Sequence, residues 1–227
     1  MQLTRQQWAT AIAIAFHLSG FIAIGLLKSQ LFISLTPLNL MVSAGLLFWT
    51  QPKHTAGFWF FVALAFTLGF FAEVVGVNTG ILFGNYTYGS VLGPKWMGVP
   101  YLIGLQWVVV TYCAGIAMAM LQKRVLMVSE SEEITVPKLW RMASIVLDGA
   151  LLAVFFDWIL EPVAVQLGYW TWAGNEIPLL NYLSWMGVSM VILLFFYIFK
   201  FPRHNLFAIH LFMIQVLFFL LMRTLGQ

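Results

Sequence analysis

The chain has 227 residues, of which 62% are hydrophobic and 8% charged, and its mean hydropathy is +0.92. So few charges cannot clothe the surface of a water-soluble domain of this length, which is excluded. The formal net charge of +3 is carried by dispersed basic residues, which argues against a nucleic-acid partner and leaves the lipid bilayer as the primary one.

A hydrocarbon core about 30 Å thick takes about 20 apolar residues per helix. Apolar runs at residues 8–27, 32–50, 57–77, 101–121, 140–161, 180–200 and 204–222 predict an all-α polytopic bundle of about seven transmembrane helices, forming one domain over 1–227. The first run follows Arg5 but is too long for the apolar core of a signal peptide. It also carries His17 in its middle and has no small-residue cleavage site, so a retained helix is expected. Pro37 and Asn39 interrupt the start of the second run, and little beyond Pro202 separates the sixth from the seventh. Cys113, the single cysteine, lies in the fourth run; it excludes an internal disulfide and reads as a packing residue.

Lys and Arg collect on the cytoplasmic side during insertion. With seven spans, Arg5, Lys53, Lys123, Arg124, Lys138, Arg141, Lys200 and Arg203 share one side, against Lys28, Lys95 and Arg223 on the other. The N-terminus is therefore expected in the cytoplasm. The polar connection 122–138, with Glu130, Glu132 and Glu133, reads as a solvated cytoplasmic linker.

On either side of that linker, two units at about 57–121 and 140–200 repeat one pattern. The first has Glu73, Gly84, Tyr86-Thr87-Tyr88, Pro100 and Trp107; the second has Asp157, Gly168, Trp170-Thr171-Trp172, Pro178 and Trp185. In both, the acid precedes the triplet by thirteen residues and the Trp follows the Pro by seven. The long loops 78–100 and 162–179 then emerge on the same extracytoplasmic side, making a parallel helix-loop-helix repeat unlike the inverted repeats of many transporters. The glycines permit tight turns and positive φ, and the prolines mark helix starts. Alternation puts both rings of a triplet on one side of an extended segment, so the triplets are expected to form paired aromatic walls. Each ring could also serve only as a headgroup-level anchor.

Four acids fall within predicted spans: Glu73, Asp148, Asp157 and Glu161. Each costs about 2.5–3.5 kcal/mol on insertion scales and is expected to face a cavity or a partner. No Lys or Arg lies in mid-span to pair with them, so some are expected to be protonated. Asp157 and Glu161, four apart, share a helical face and can share a proton, giving one acid and one base. Asp148 points elsewhere, with His17 or His210 as its expected partner, and is a candidate either for a catalytic role or for a cross-helix hydrogen bond. Asn181 and Gln106 are placed to hold a water molecule or fix a carboxyl, or to serve as interhelical hydrogen-bonding groups. The histidines and acids lack metal-binding spacing, so no metal is expected. The last run has no lysine for a retinal Schiff base.

The strings "EVVGVNTGILFGNYTYGSVLGPKWMGVPYLIGLQW" and "DWILEPVAVQLGYWTWAGNEIPLLNYLSW" resemble the carotenoid biosynthesis membrane-protein family that includes carotenoid 1',2'-hydratases and bisanhydrobacterioruberin hydratases. The resemblance covers roughly residues 57–200. It implies addition of water across the terminal C1'=C2' double bond of an acyclic carotenoid end of the γ-carotene or lycopene type. It also implies no cofactor, a substrate arriving from the lipid, neighbouring carotenoid-pathway enzymes and residence in a bacterial cytoplasmic membrane. Such hydration needs an acid, rings to stabilise a cation and a base for water. The expected donor is Asp157 or Glu73, with Glu161 as partner or base. Tyr86, Tyr88, Trp107, Trp170, Trp172 and Trp185 are expected to wall the substrate, and Asn181 to lie near the water. Two rival readings are a carotenoid end-group cyclase or isomerase, which would lose a proton instead of capturing water, and a non-catalytic carotenoid-binding or transport protein.

Overall fold

The computed structural model describes residues 3–131 and 137–225; Glu132 and Glu133 of the expected linker lie outside the described residues, as does the Glu130 side chain. Helix α1 (Arg5–Gly20) opens on a reciprocal cap. The Gln7 N–H donates to Thr4 Oγ1 at 3.3 Å and the Thr4 N–H donates to Gln7 Oε1 at 2.8 Å. The helix widens into a π-helical stretch, Phe21–Leu26. Next come α2 (Gln30–Ser34), α3 (Thr36–Thr50) and α4 (Ala56–Thr79), the last closed by Gly80 at φ +67°. Glycine accepts this left-handed C-terminal position without steric cost.

Helix α5 (Tyr101–Ser131) begins directly after Pro100. Helix α6 (Lys138–Ala143) passes through a π-helical turn, Ser144–Asp148, into α7 (Gly149–Gln166). Helix α8 (Leu179–Ile198) is introduced by Pro178, and α9 (Leu206–Leu225) follows.

Six helical stretches are long and apolar enough to cross a membrane: Arg5–Leu26, Ala56–Thr79, Tyr101–Val125, Lys138–Gln166, Leu179–Ile198 and Leu206–Leu225. The chain is a polytopic all-α membrane protein. The remaining predicted span is divided at Leu35 between α2 and α3, and the 15 residues of α3 are fewer than a membrane crossing takes. Pro37 accounts for where α3 begins, because the first turn of a helix has no use for the missing N–H.

Two predicted boundaries also move. Residues 122–131 are helical, where a loop was expected, because Gln, Lys, Arg, Leu and Met favour the helix. Helix α7 continues past Pro162 to Gln166, since one proline removes only one backbone donor.

Helix α5 is the axis of the bundle and packs against α3, α4, α7, α8 and α9. At one end, Asn205 Nδ2 donates to Thr50 Oγ1 and to the Tyr112 hydroxyl, each at 3.1 Å. Arg203 Nη2 closes α8 there by donating to the carbonyls of Tyr197 at 2.7 Å and Phe199 at 2.9 Å.

At the other end, the loops after α4 and α7 meet. Strand β1 (Tyr86–Tyr88) is followed by β2 (Lys95–Trp96) and β3 (Val99–Pro100), which form a small hairpin. Its turn residues, Met97 and Gly98, both take positive φ, as tight two-residue hairpin turns require. Strand β4 (Trp170–Trp172) pairs antiparallel with β1, in the register Tyr86 with Trp172 and Tyr88 with Trp170. The repeated glycines two residues ahead of each triplet, Gly84 and Gly168, have φ of +109° and +71°, as expected of glycines at those turns.

Close approach of α4 to α5 depends on Gly69, where an added Cβ would overlap the Trp107 side chain. Gly69→Ala should therefore destabilise the protein by about 1–3 kcal/mol. Gly187→Ala, where a Cβ meets nothing within 4 Å, should be nearly neutral. Thermal unfolding of both variants in detergent checks this.

Candidate active site

The paired strands present one face to the bundle. In each triplet the outer two rings are buried and the threonine between them is exposed; Thr87 and Thr171 meet across the outer face with their hydroxyls 3.1 Å apart. On the inner face the Tyr86 and Trp172 ring centroids lie 4.9 Å apart, and Tyr88 meets Trp170 edge to face at 5.8 Å. The repeated tryptophans stack below them: Trp107 and Trp185 are 4.0 Å apart and inclined by 18°. Six of the seven residues expected to bind substrate thus form one aromatic wall.

This wall is also a set of polar hydrogens aimed at carboxyl groups. Glu73 Oε2 accepts from the Tyr86 hydroxyl and, at 2.8 Å, from the Tyr88 hydroxyl; its Oε1 accepts from Trp107 Nε1 at 3.0 Å. Glu161 Oε2 accepts from Trp170 Nε1 at 3.0 Å and from Trp172 Nε1 at 2.8 Å. Asn181, the seventh of those residues, divides its amide hydrogens: Nδ2 donates to Asp157 Oδ2 at 2.7 Å and to Glu161 Oε1 at 3.3 Å. Burial first, then the Glu73 carboxylate, holds the Tyr86 and Tyr88 phenols well above their ordinary range, so both remain donors.

Spacing matches Glu73 with Asp157, yet the second triplet bonds Glu161. A tyrosine carries its hydroxyl at the far tip of the ring, whereas the indole N–H lies on the flank. An acceptor for tryptophan must therefore sit nearer the strand. Glu161 lies four residues, about 6 Å along the helix axis, closer to the loop than Asp157.

That leaves Asp157 differently placed. It is 1% exposed, and its Oδ1 is buried without a hydrogen-bond partner among the described residues. Asp157 also lines the cavity between the wall and α7, a space of about 80 Å³ enclosed mainly by rings and aliphatic side chains. Glu73, Glu161 and Asn181 line the same space.

Asp148 does not join them. It is exposed, in the π-helical turn ahead of α7, and accepts from Ser144 Oγ at 2.8 Å. Neither expected histidine is its partner: His17 Nδ1 lies 2.8 Å from the Ala13 carbonyl, and His210 Nδ1 lies 2.8 Å from Thr10 Oγ1. Nine residues of helix separate Asp148 from Asp157, enough to carry it out of the cavity and to the opposite helical face.

Other lining residues were not singled out by the repeat. Phe83 is buried in the left-handed region at φ +63°, held by its N–H donating to Ser184 Oγ at 2.9 Å. Tyr169 adjoins the second triplet, and its hydroxyl pairs with Thr36 Oγ1 at 2.8 Å. Burial pushes the Tyr169 phenol up to about 12. Its position beside Trp170 was a usable signal; the distant Thr36 had none.

The fold and site define an all-α membrane bundle that buries three carboxyl groups under an aromatic wall. The chain belongs to the carotenoid biosynthesis protein family, whose profile matches residues 31–225. It is similar to the bisanhydrobacterioruberin hydratase of Haloarcula japonica, with 33% identity over 128 residues, which cover 54% of this chain and 39% of that protein. The match thus spans about two fifths of that relative's length. No solved structure matches the chain.

Proposed function

We propose that this protein is a carotenoid hydratase that adds water across the terminal C1'=C2' double bond of an acyclic carotenoid end. The observation that carries this reading is the unpartnered, buried Oδ1 of Asp157 in an apolar cavity beside five hydrogen-bonding aromatic rings. Family membership supports a carotenoid substrate, and the similar protein's name supports hydration.

In the proposed reaction, Asp157 Oδ1 carries the proton. Electrons of the double bond form a C2'–H bond to it, leaving a tertiary cation at C1'. The surrounding ring faces stabilise that cation by cation–π attraction. Water bonds to C1' through oxygen, and Glu161 takes the proton released. Asn181, bonded to both acids, holds them in register for return of that proton to Asp157. The sum is one alkene and one water giving a tertiary alcohol; with no change of redox state, the scheme uses no cofactor. Glu73, its oxygens occupied by three donors, positions the wall and leaves the donor role to Asp157.

The substrate reaches this cavity from the lipid. Between α4 and α8 runs an open apolar groove of about 530 Å³ whose lining includes Leu82 and Ser184. Phe83, which lines the cavity, follows Leu82 in the chain and is bonded to Ser184, so it links the two linings. The groove is suited to hold the polyene while its end group passes Phe83.

The membrane orientation belongs to the same proposal. If α2 and α3 together cross the bilayer, seven crossings place the N-terminus in the cytoplasm and both loops of a parallel repeat outside.

In cells making lycopene or γ-carotene, Asp157→Asn should lower the yield of the hydrated pigment by about 10²–10⁴-fold at equal protein level. Retention of near wild-type yield would favour a binding protein, while a product of unchanged mass from the wild type would favour a cyclase or isomerase. Gly187→Trp projects into the groove from a position with no neighbour within 4 Å. It should raise the apparent KM for a full-length carotenoid at least fivefold with little loss of kcat; unchanged kinetics would remove the groove from the route.

A further inference from the structure

A second cavity, of about 160 Å³, lies among α1, α3 and α9 and shares part of its lining with the first. Thr36, Gln106 and Tyr169 face both spaces. The two differ in chemistry. Beyond the shared residues, the second adds the polar side chains of His17, Ser19, Asn39 and Gln215 to a lining that is otherwise apolar, with Phe16, Ile24, Phe32 and Phe218 among it. The contact between His17 Nδ1 and the Ala13 carbonyl makes Nδ1 the donor, so Nε2 is left as an acceptor. Gln106 and Gln215 have side-chain amides without a hydrogen-bond partner among the described residues, and neither is sealed off as a buried orphan. At about 30 Å³ per molecule, such a space holds several waters, and its polar groups supply the two to four partners that each needs.

Hydration poses a problem that the first cavity alone does not solve. Its walls favour the carotenoid end, which fills the space and shuts out the lipid side, yet one water must reach C1' in each turnover. We infer that the second cavity is the water store of the reaction, and that Gln106 hands water through the common wall to the cation. This rests on the hydratase reading. The Thr36–Tyr169 hydroxyl pair borders the passage and keeps it polar. An amide suits the transfer because its oxygen can accept from the incoming water while its N–H group donates to the next one. A carboxylate there would compete with Glu161 for the proton.

Water capture then becomes separable from protonation. In membranes suspended in D2O, Asp157 delivers deuterium to C2' whether or not water follows. A cation that is not captured loses a proton from C2', regenerating deuterated substrate, or from a C1' methyl group, giving an isomer of the same double-bond count. Gln106→Leu keeps the side-chain volume and removes both polar atoms; Gln215→Leu does the same at a position that lines only the second cavity.

The expected result for Gln106→Leu is at least a tenfold fall in the ratio of hydrate to deuterated substrate plus isomer, with protein level and melting temperature retained. Gln215→Leu should lower that ratio about threefold. An unchanged ratio in both variants would overturn the inference, as would a higher KM alone, which would assign the second cavity to the polyene. A wild type yielding neither hydrate nor deuterated substrate would overturn the hydratase reading beneath it.

Discussion

Buried carboxyl groups at the end of an apolar bundle have to be given polar hydrogens, and much of the site's architecture follows from that need. An ionised carboxylate taken into such surroundings costs several kcal/mol unless it is paired or hydrogen bonded. None of the hydrogen bonds described to Glu73, Asp157 or Glu161 comes from a cation; the donors are two phenols, three indoles and one amide. Hydrogen bonds to charged groups contribute about 1.5–3 kcal/mol each. Neutral donors serve the acids and leave the cavity greasy, where Lys or Arg would have brought water and a fixed charge. The antiparallel pairing of β1 with β4 is what delivers four of these donors from two distant parts of the chain.

The two halves use that device unequally. In the first, three donors converge on one acid. In the second, two indoles and Asn181 serve Glu161, and Asn181 alone serves Asp157. Replacing tyrosine by tryptophan in the second triplet moves the donors back along the ring and calls for an acceptor one turn higher. Asp157, at the spacing that matches Glu73, receives no hydrogen bond from the wall. Of these two acids, one accepts from three ring donors and the other has an oxygen to spare. The proposed division between a positioning carboxylate and a proton donor needs that asymmetry.

Much of this was legible in the residues. Composition identified a membrane bundle. The spacing of Glu73, Asp157, the two triplets, Pro100, Pro178, Trp107 and Trp185 identified the parts that meet at the site. The division of the second predicted run into α2 and α3 was not legible, because hydropathy counts apolar residues and does not register a break such as that at Leu35. That the second triplet bonds Glu161, and not the spacing-matched Asp157, could not be read from the pattern, because residue spacing does not encode where on a ring the polar hydrogen sits. Spacing turned Asp148 away from Asp157 correctly but could not name its partner, which is the neighbouring Ser144 and neither histidine. Thr36 and the second cavity depend on contacts between segments more than one hundred residues apart in sequence, such as the bond from Thr36 to Tyr169.

The most direct measurement takes the purified protein in lipid vesicles, supplies lycopene or γ-carotene and nothing else, and follows the product by mass spectrometry and visible absorption. The account predicts a more polar pigment heavier by one water, with an unchanged chromophore, and the oxygen-18 label of the solvent in its new hydroxyl. A product of unchanged mass, or one whose oxygen does not come from water, would contradict it.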